Sequence, residues 1–379
     1  MILKKVCVAI DSFKGCLSSS EAGDAAREAI HRLLPDCEVL RFPIADGGEG
    51  LLETIVAAAN GRYVATRAHD PLSRLIDTRY ALSADGQTAY IEMAAISGPP
   101  LLRPEERNPW ETTTYGTGEL IRKALDRGCR HFVVGIGGSA TNDAGLGMLQ
   151  ALGFRFLDHG RQELGMGGKI LEKVAYVDDS HKHPALDGAT FTVACDVNNP
   201  FYGPNGAAHI FAPQKGANPT MVNRLDQGLR SLAQVIRKET GRSVDTLEGA
   251  GAAGGMGGGL VAFLGARLRP GIDLLLDALQ FRQKAEGADL IITGEGKADR
   301  QSLMGKVPSG LLREAQALHI PIVLIAGAVE DQAQLNQAGF KAALSIQPGP
   351  TTLEEAMRPE VAKARIQNTV EQICRLLTD

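Results

Sequence analysis

A chain of 379 residues is too long for one ordinary hydrophobic core, so two domains are expected. Hydrophobic residues make up 44% and charged residues 22%, the balance of a soluble folded protein; a net charge of -4 with a single tryptophan excludes a basic, aromatic-laced nucleic-acid surface. No apolar run is long enough to cross a bilayer and no signal peptide is evident, while six scattered cysteines fit reduced thiols in a cytoplasmic protein.

In chain order, residues 6–10 read as a buried strand, and Ser18-x-x-Glu21 as a capping box opening a helix to about residue 34. Residues 38–42 read as a second strand, followed by the loop Ala45-Asp46-Gly47-Gly48-Glu49-Gly50 and a helix to residue 59. The rhythm then changes to short strands at 63–67, 78–82 and 89–93, with Asp85-Gly86 as a hairpin turn. A strand at 131–134 breaks into glycines, and residues 144–151 open a helix. Strand and helix alternate again with strands at 289–293, 322–326 and 342–346, a helix at 308–318 and an amphipathic closing helix at 360–377. The pattern predicts an α/β protein: a Rossmann-like doubly wound parallel-sheet domain from residues 1–62 plus 285–379, with a mixed-sheet α/β domain, 63–284, inserted.

The 44 glycines cluster at loops. Gly135-Ile136-Gly137-Gly138-Ser139-Ala140-Thr141-Asn142-Asp143, between a strand and a helix, offers backbone N–H groups to an anion, most often a phosphate; Gly137, Gly138 and Ser139 are the candidate ligands. The same segment, with Asp158 some way downstream, also matches a dinucleotide fingerprint and keeps an NAD(P)-dependent oxidoreductase as the rival reading. Asp143 suits either a helix N-cap or a metal ligand. The run from Gly249 to Gly259 is either close helix packing or a ligand wrap around Gly254 and Gly255, the second being slightly favoured. No Walker A motif occurs, and Gly305-Lys306-Val307 lacks the hydroxyl that would hold magnesium.

Other segments offer the parts for phosphoryl transfer. Ser12 and Lys14 follow the first strand, where open α/β sheets bind ligands, although a lone lysine is more often simply solvated. Asp46, Gly47, Gly48 and Glu49 follow the second strand, and Glu295 and Asp299 follow a later one. Asp196 follows an apolar strand and is either a turn former or the group that accepts a hydroxyl proton as phosphate is transferred. Thr117 and Gly118 open a helix that offers hydroxyl and N–H groups to a small polar substrate, or caps itself.

Taken together the chain resembles the bacterial type I glycerate kinases. The resemblance rests on Asp11-Ser12-Phe13-Lys14-Gly15, Ala45 to Gly50, Ile91-Glu92-Met93-Ala94, Gly116-Thr117-Gly118-Glu119-Leu120, Gly135 to Asp143, Ala194-Cys195-Asp196-Val197, Pro213-Gln214-Lys215-Gly216-Ala217, Gly249 to Gly257 and Thr293-Gly294-Glu295-Gly296, in family order. The chain departs from the family pattern at Ile10, Cys16 and Lys297-Ala298. The resemblance implies ATP- and magnesium-dependent phosphorylation of D-glycerate to 2-phosphoglycerate in a cleft between the domains. It assigns Lys14 and the glycine loops to phosphoryl charge, Asp196 to the acceptor hydroxyl, and Asp143, Glu295 and Asp299 to metal or water. A non-catalytic sensor of small acids is the third reading, and the oligomeric state, monomer or homodimer, stays open.

Overall fold

The computed structural model describes residues 3–44 and 50–378. Their strands are β1 Lys5–Ile10, β2 Glu38–Arg41, β3 Arg62–His69, β4 Leu75–Leu82, β5 Thr88–Glu92, β6 His131–Gly135, β7 Arg155–Leu157, β8 Tyr176–Asp178, β9 Thr190–Ala194, β10 Arg267–Arg269, β11 Leu290–Ala298, β12 Ile322–Val329 and β13 Ala342–Ser345. Contacts divide the chain into two compact units, residues 1–58 with 270–379, and residues 59–269.

The first unit is an all-parallel five-stranded sheet in the order β13-β12-β11-β1-β2. Only Lys5 of β1 is even partly exposed; Val6 to Ile10 are buried, as an apolar strand covered on both faces requires. Val6 pairs with Leu290 and Ile10 with Gly294, so the order reverses between β1 and β11. In open α/β sheets ligands bind outside the carboxyl ends of strands at such a reversal. The capping box forms as expected: Ser18 accepts from the Glu21 backbone N–H and Glu21 closes back on Ser18. The helix it opens, Ser19–Leu33, packs Ala22, Ala26 and Ile30 in one core with Ile366, Val370 and Ile373 of the closing helix Pro359–Leu377. Ion pairs Lys363–Glu21 (2.9 Å) and Arg32–Glu371 (2.6 Å) flank that contact.

Helices Gly271–Ala278 and Phe281–Ala285 belong to this unit, so the second boundary falls at 269/270 where the sequence suggested 284/285. Packing explains the difference. Phe281 lies 4.6 Å from the Phe42 ring, Ile272 fills the space beside Gly310, and Arg282 pairs with Glu314 at 2.8 Å.

The second unit is a six-stranded mixed sheet, β10-β9-β6-β5-β4-β3. β3 to β5 are antiparallel, turning at Gly86 with φ +71°, while β5, β6, β9 and β10 run parallel. Phe132 stacks on Phe191 at 4.8 Å across the β6–β9 pair. The helix Pro219–Thr240 buries Val222, Leu225, Leu229, Leu232 and Ile236 along one stripe, starts at the Asn218 cap and ends at Gly241.

This topology removes the dinucleotide fingerprint. A Rossmann unit needs the strand after the glycine helix to join its own sheet in parallel. Here β7 pairs antiparallel with β8 in a separate two-stranded sheet. Asp158 accepts the backbone N–H groups of Gly160 and Gln162 in a tight turn. No described helix is long and apolar enough to cross a membrane.

Candidate functional site

In the first unit, the segments after β1 and β13, the carboxyl-terminal parts of β11 and β12, and Lys306 surround a cavity of ≈ 440 Å³. The β1–β11 pairing continues one residue beyond the strand, Asp11 N donating to Gly294 O at 2.8 Å. The chain then closes a tight turn in which Phe13 bridges Leu17, and Gly15 takes φ +75°. Ser19 ties the loop to its surroundings, donating to Ile10 O (2.6 Å) and accepting from Ile44 N (3.2 Å). This places Asp11, Ser12 and exposed Lys14 on the cavity wall with Glu295, Lys297 and Lys306. The neighbouring strands approach too closely for side chains at two positions: a Cβ on Gly294 would meet Ile325 O at 2.5 Å, and one on Gly327 would meet Gly296 O at 2.6 Å.

Glu295 is 7% exposed, and its Oε1 is buried without a hydrogen-bond partner among the described residues. Burial pushes its carboxyl up to about 7, with Asp11 and Asp299 adding to the shift; a Ser302 hydrogen bond and the Lys306 charge oppose it. An unsatisfied buried carboxylate oxygen beside a second acid is unfavourable unless a cation or donor arrives. Asp299 has a local task, since it accepts from Gln301 N (2.8 Å) as cap of the short helix Arg300–Leu303. Lys297 pairs with Glu330 at 3.0 Å. Lys306 is the N-cap residue of the helix Val307–Leu318. Asp46, Gly47, Gly48 and Glu49 lie outside the described residues.

In the second unit, the carboxyl ends of β5, β6 and β9 bring Glu92, the loop Gly137-Gly138-Ser139 and Asp196 to one sheet edge, because Glu92 pairs with Gly135 and Gly135 with Ala194. Gly137, Gly138 and Asp196 are exposed. Gly138 has φ +65°, which favours glycine. Ser139 is buried and accepts a 2.7 Å hydrogen bond from Lys215 Nζ, which also donates to Thr141 O at 2.7 Å. Lys215 is 5% exposed, and burial pulls its ammonium down to about 7 against the attraction of Asp143.

Four sequence expectations change here. The helix after the glycine loop begins only at Leu146 and ends at Ala151, so the loop does not open directly into a helix dipole. Asp143 is fully buried and accepts from Thr114 N (2.8 Å), Thr114 Oγ1 (2.9 Å), Thr113 Oγ1 (3.3 Å), Gly145 N (3.1 Å) and Gly147 N (3.3 Å). These bonds make it a clamp on the surrounding backbone. Close packing accounts for Gly254 and Gly255: a Cβ on Gly254 would meet Thr141 O at 2.2 Å, and one on Gly255 would meet Leu229 Cδ2 at 2.9 Å. Thr117 is buried, its hydroxyl 2.8 Å from that of Ser97, and a Cβ on Gly118 would meet Met148 O at 2.2 Å; this pair seats one helix on another.

Sequence reasoning left Asp11, Lys306 and Lys215 without roles. Asp11 is the first residue past β1, a position that itself marks a ligand loop. Lys306 was set aside for lacking the Walker hydroxyl, although its place before a helix was visible. Lys215 lay inside the Pro213–Ala217 motif of the resemblance, but its partner Ser139 is 76 positions away, so the contact was not legible.

Residues 6–378 match the model of the Glycerate kinase family. The chain is 43% identical over 370 residues to a Bacillus subtilis (strain 168) glycerate kinase, covering 97% of this chain and 96% of that protein. It is 44% identical over 355 residues to the Escherichia coli (strain K12) glycerate 2-kinase, covering 93% of each. A crystal structure of a candidate glycerate kinase 2 from Salmonella typhimurium LT2 superposes with a TM-score of 0.84 at 42% identity, covering 99% of this chain and 98% of that one.

Proposed function

The chain belongs to the glycerate kinase family, and from that premise we propose that it transfers the terminal phosphoryl group of ATP to D-glycerate. The observation that carries this reading is the full-length family match, residues 6–378. The oxidoreductase reading falls with β7, which never joins the main sheet.

Roles follow from the chemistry of each position. Lys14, exposed on the cavity wall, neutralises phosphate oxygens; Ser12 adds a hydroxyl there. The backbone N–H groups of Gly137, Gly138 and Ser139 are assigned to charge on the phosphoryl group in flight. Asp196, exposed past the end of β9, orients the acceptor hydroxyl and receives its proton. The 2-hydroxyl is the acceptor we favour, in keeping with the name of the Escherichia coli relative.

Among the described residues no three His, Cys, Asp or Glu side chains cluster as a metal cage. Magnesium needs no such cage in a kinase, since one or two carboxylates with water and phosphate oxygens complete its octahedron. Glu295, with its orphaned Oε1, and Asp11 beside it fit that donor set. Bound there, the ion would neutralise charge on the β- and γ-phosphate oxygens. Asp299 stays the cap that braces the Glu295 segment.

The test is ADP release with and without D-glycerate, the product then being offered to enolase without phosphoglycerate mutase. Glycerate-dependent ADP release and direct enolase turnover are expected. Absence of glycerate-dependent release would refute the kinase reading, and a product that enolase rejects would move the phosphate to the 3-hydroxyl. Asp196→Asn is expected to lower kcat by about 10²–10⁴-fold with the fold intact; near-parental turnover would remove Asp196 from the chemistry.

A further inference from the structure

The cavity of the first unit has more wall than phosphate chemistry requires. Besides its lysines and acids it is lined by Phe13, Ile346, Leu353, Ala356 and Met357. Leu353 is 77% exposed and Met357 36% exposed, both large apolar side chains left open to solvent. They belong to one short segment, Leu353 opening the helix Leu353–Ala356 and Met357 closing it. A three-carbon hydroxy acid has no apolar face to cover them, and ≈ 440 Å³ is in the range of pockets that enclose a whole cofactor-sized ligand.

Three further features restrict the occupant. The cavity sits at the carboxyl ends of β1 and β11, where the strand order reverses, the position at which open α/β sheets take nucleotides. Lys14 and Lys306 give its wall a cationic character suited to polyphosphate. The buried Glu295 Oε1 lacks a partner among the described residues, which suits something cationic arriving with an anion, as a magnesium-bound polyphosphate does.

We propose that this cavity is the purine-nucleotide site of the enzyme, the base lying against Ile346, Leu353 and Met357 and the phosphates facing Lys14 and Lys306. The proposal rests on the phosphotransfer reading above and adds to it the part of the chain that recognises the base. It assigns recognition of the donor's base to the first compact unit. The apolar contact comes from Ile346, just past β13, and from the segment Leu353–Met357, so base recognition depends on a small region beside β13 and not on the glycine-rich stretches that dominate the sequence.

The experiment titrates the full-length protein with magnesium ADP and, separately, with magnesium tripolyphosphate, by calorimetry. Leu353→Asp places a carboxylate where the base is proposed to lie, at a position too exposed to threaten folding. Leu376→Asp, 83% exposed on the closing helix and absent from the cavity wall, is the control. The expected result is an ADP Kd at least tenfold higher for Leu353→Asp, with tripolyphosphate affinity and the Leu376→Asp control within twofold of the parent. Parental ADP affinity in Leu353→Asp would overturn the proposal, as would equal weakening of ADP and tripolyphosphate. A raised glycerate KM with unchanged ADP binding would also overturn it, by giving the cavity to the acceptor. A parent protein that neither binds ADP nor releases it in the presence of glycerate would bring down the phosphotransfer reading first and this proposal with it; glycerate-dependent ADP release with a null Leu353→Asp effect would bring down this proposal alone.

Discussion

Replacing Lys215 with methionine keeps the aliphatic stem and removes the buried ammonium beneath the glycine loop. Two 2.7 Å hydrogen bonds disappear, to Ser139 Oγ and Thr141 O, each worth about 1 kcal/mol net and more where the donor is charged. The pH dependence of the effect is more diagnostic than its size. Burial lowers the lysine from 10.5 to about 7 in the folded protein, with Asp143 the opposing charge, so between those values the unfolded chain binds a proton that the folded chain does not. Stability of the parent relative to Lys215→Met therefore rises with pH across that window, by about 1.4 kcal/mol per pH unit, and is lost as pH falls towards 7. Below 7 both states carry the proton and the difference levels. Trp110 is the sole tryptophan and lies in the same compact unit as Lys215, so its fluorescence during urea unfolding at pH 7, 8 and 9 reads the right transition. Parallel stability profiles for parent and variant would refute the reasoning.

Three further outcomes are expected. Asp143→Ala strands three buried backbone N–H groups and two hydroxyls, and should cost the second unit about 3–5 kcal/mol by the same fluorescence assay; a loss below 1 kcal/mol would show that the clamp is unimportant. Gly254→Ala drives a Cβ to 2.2 Å from Thr141 O at φ +69°, so it should destabilise by about 2–4 kcal/mol while leaving the nucleotide affinity of any folded fraction unchanged. Weakened nucleotide binding with normal stability would restore the ligand-wrap reading. Glu295→Gln keeps the size of the side chain and removes the charge, so the magnesium concentration for half-maximal rate should rise at least tenfold, and an unaltered magnesium dependence would remove Glu295 as a metal ligand.

Local patterns were the legible part of the fold. The run at β1 and the Ser18–Glu21 box identify themselves within a few residues, because a doubly buried strand and a capped helix end are satisfied by near neighbours. Asp85-Gly86 marks its hairpin for the same reason. The glycine-rich run misled because a glycine required by packing and one required by a ligand look alike in sequence. Only the fold shows that the obstacle to a side chain on Gly254 is the Thr141 carbonyl. The motif from Gly135 to Asp143 divides in the same way: its exposed part, Gly137 and Gly138, fits the anion reading, while Asp143 turns inward to hold the backbone. The cavity of the first unit draws on the segments after β1 and β13 and on the ends of β11 and β12, so no single stretch of sequence could display it.

The insertion has a bearing on how the chain assembles. β1 lies beside β11, its residue Val6 paired with Leu290, while the whole second unit is one unbroken segment between them. A chain emerging from the ribosome therefore holds its first apolar strand for most of its synthesis with only β2 to pair with, whereas residues 59–269 have everything they need to form a core as they appear. The unit built from the middle of the chain is thus positioned to mature early, and the sheet of the first unit is completed last, once β11 to β13 have been made.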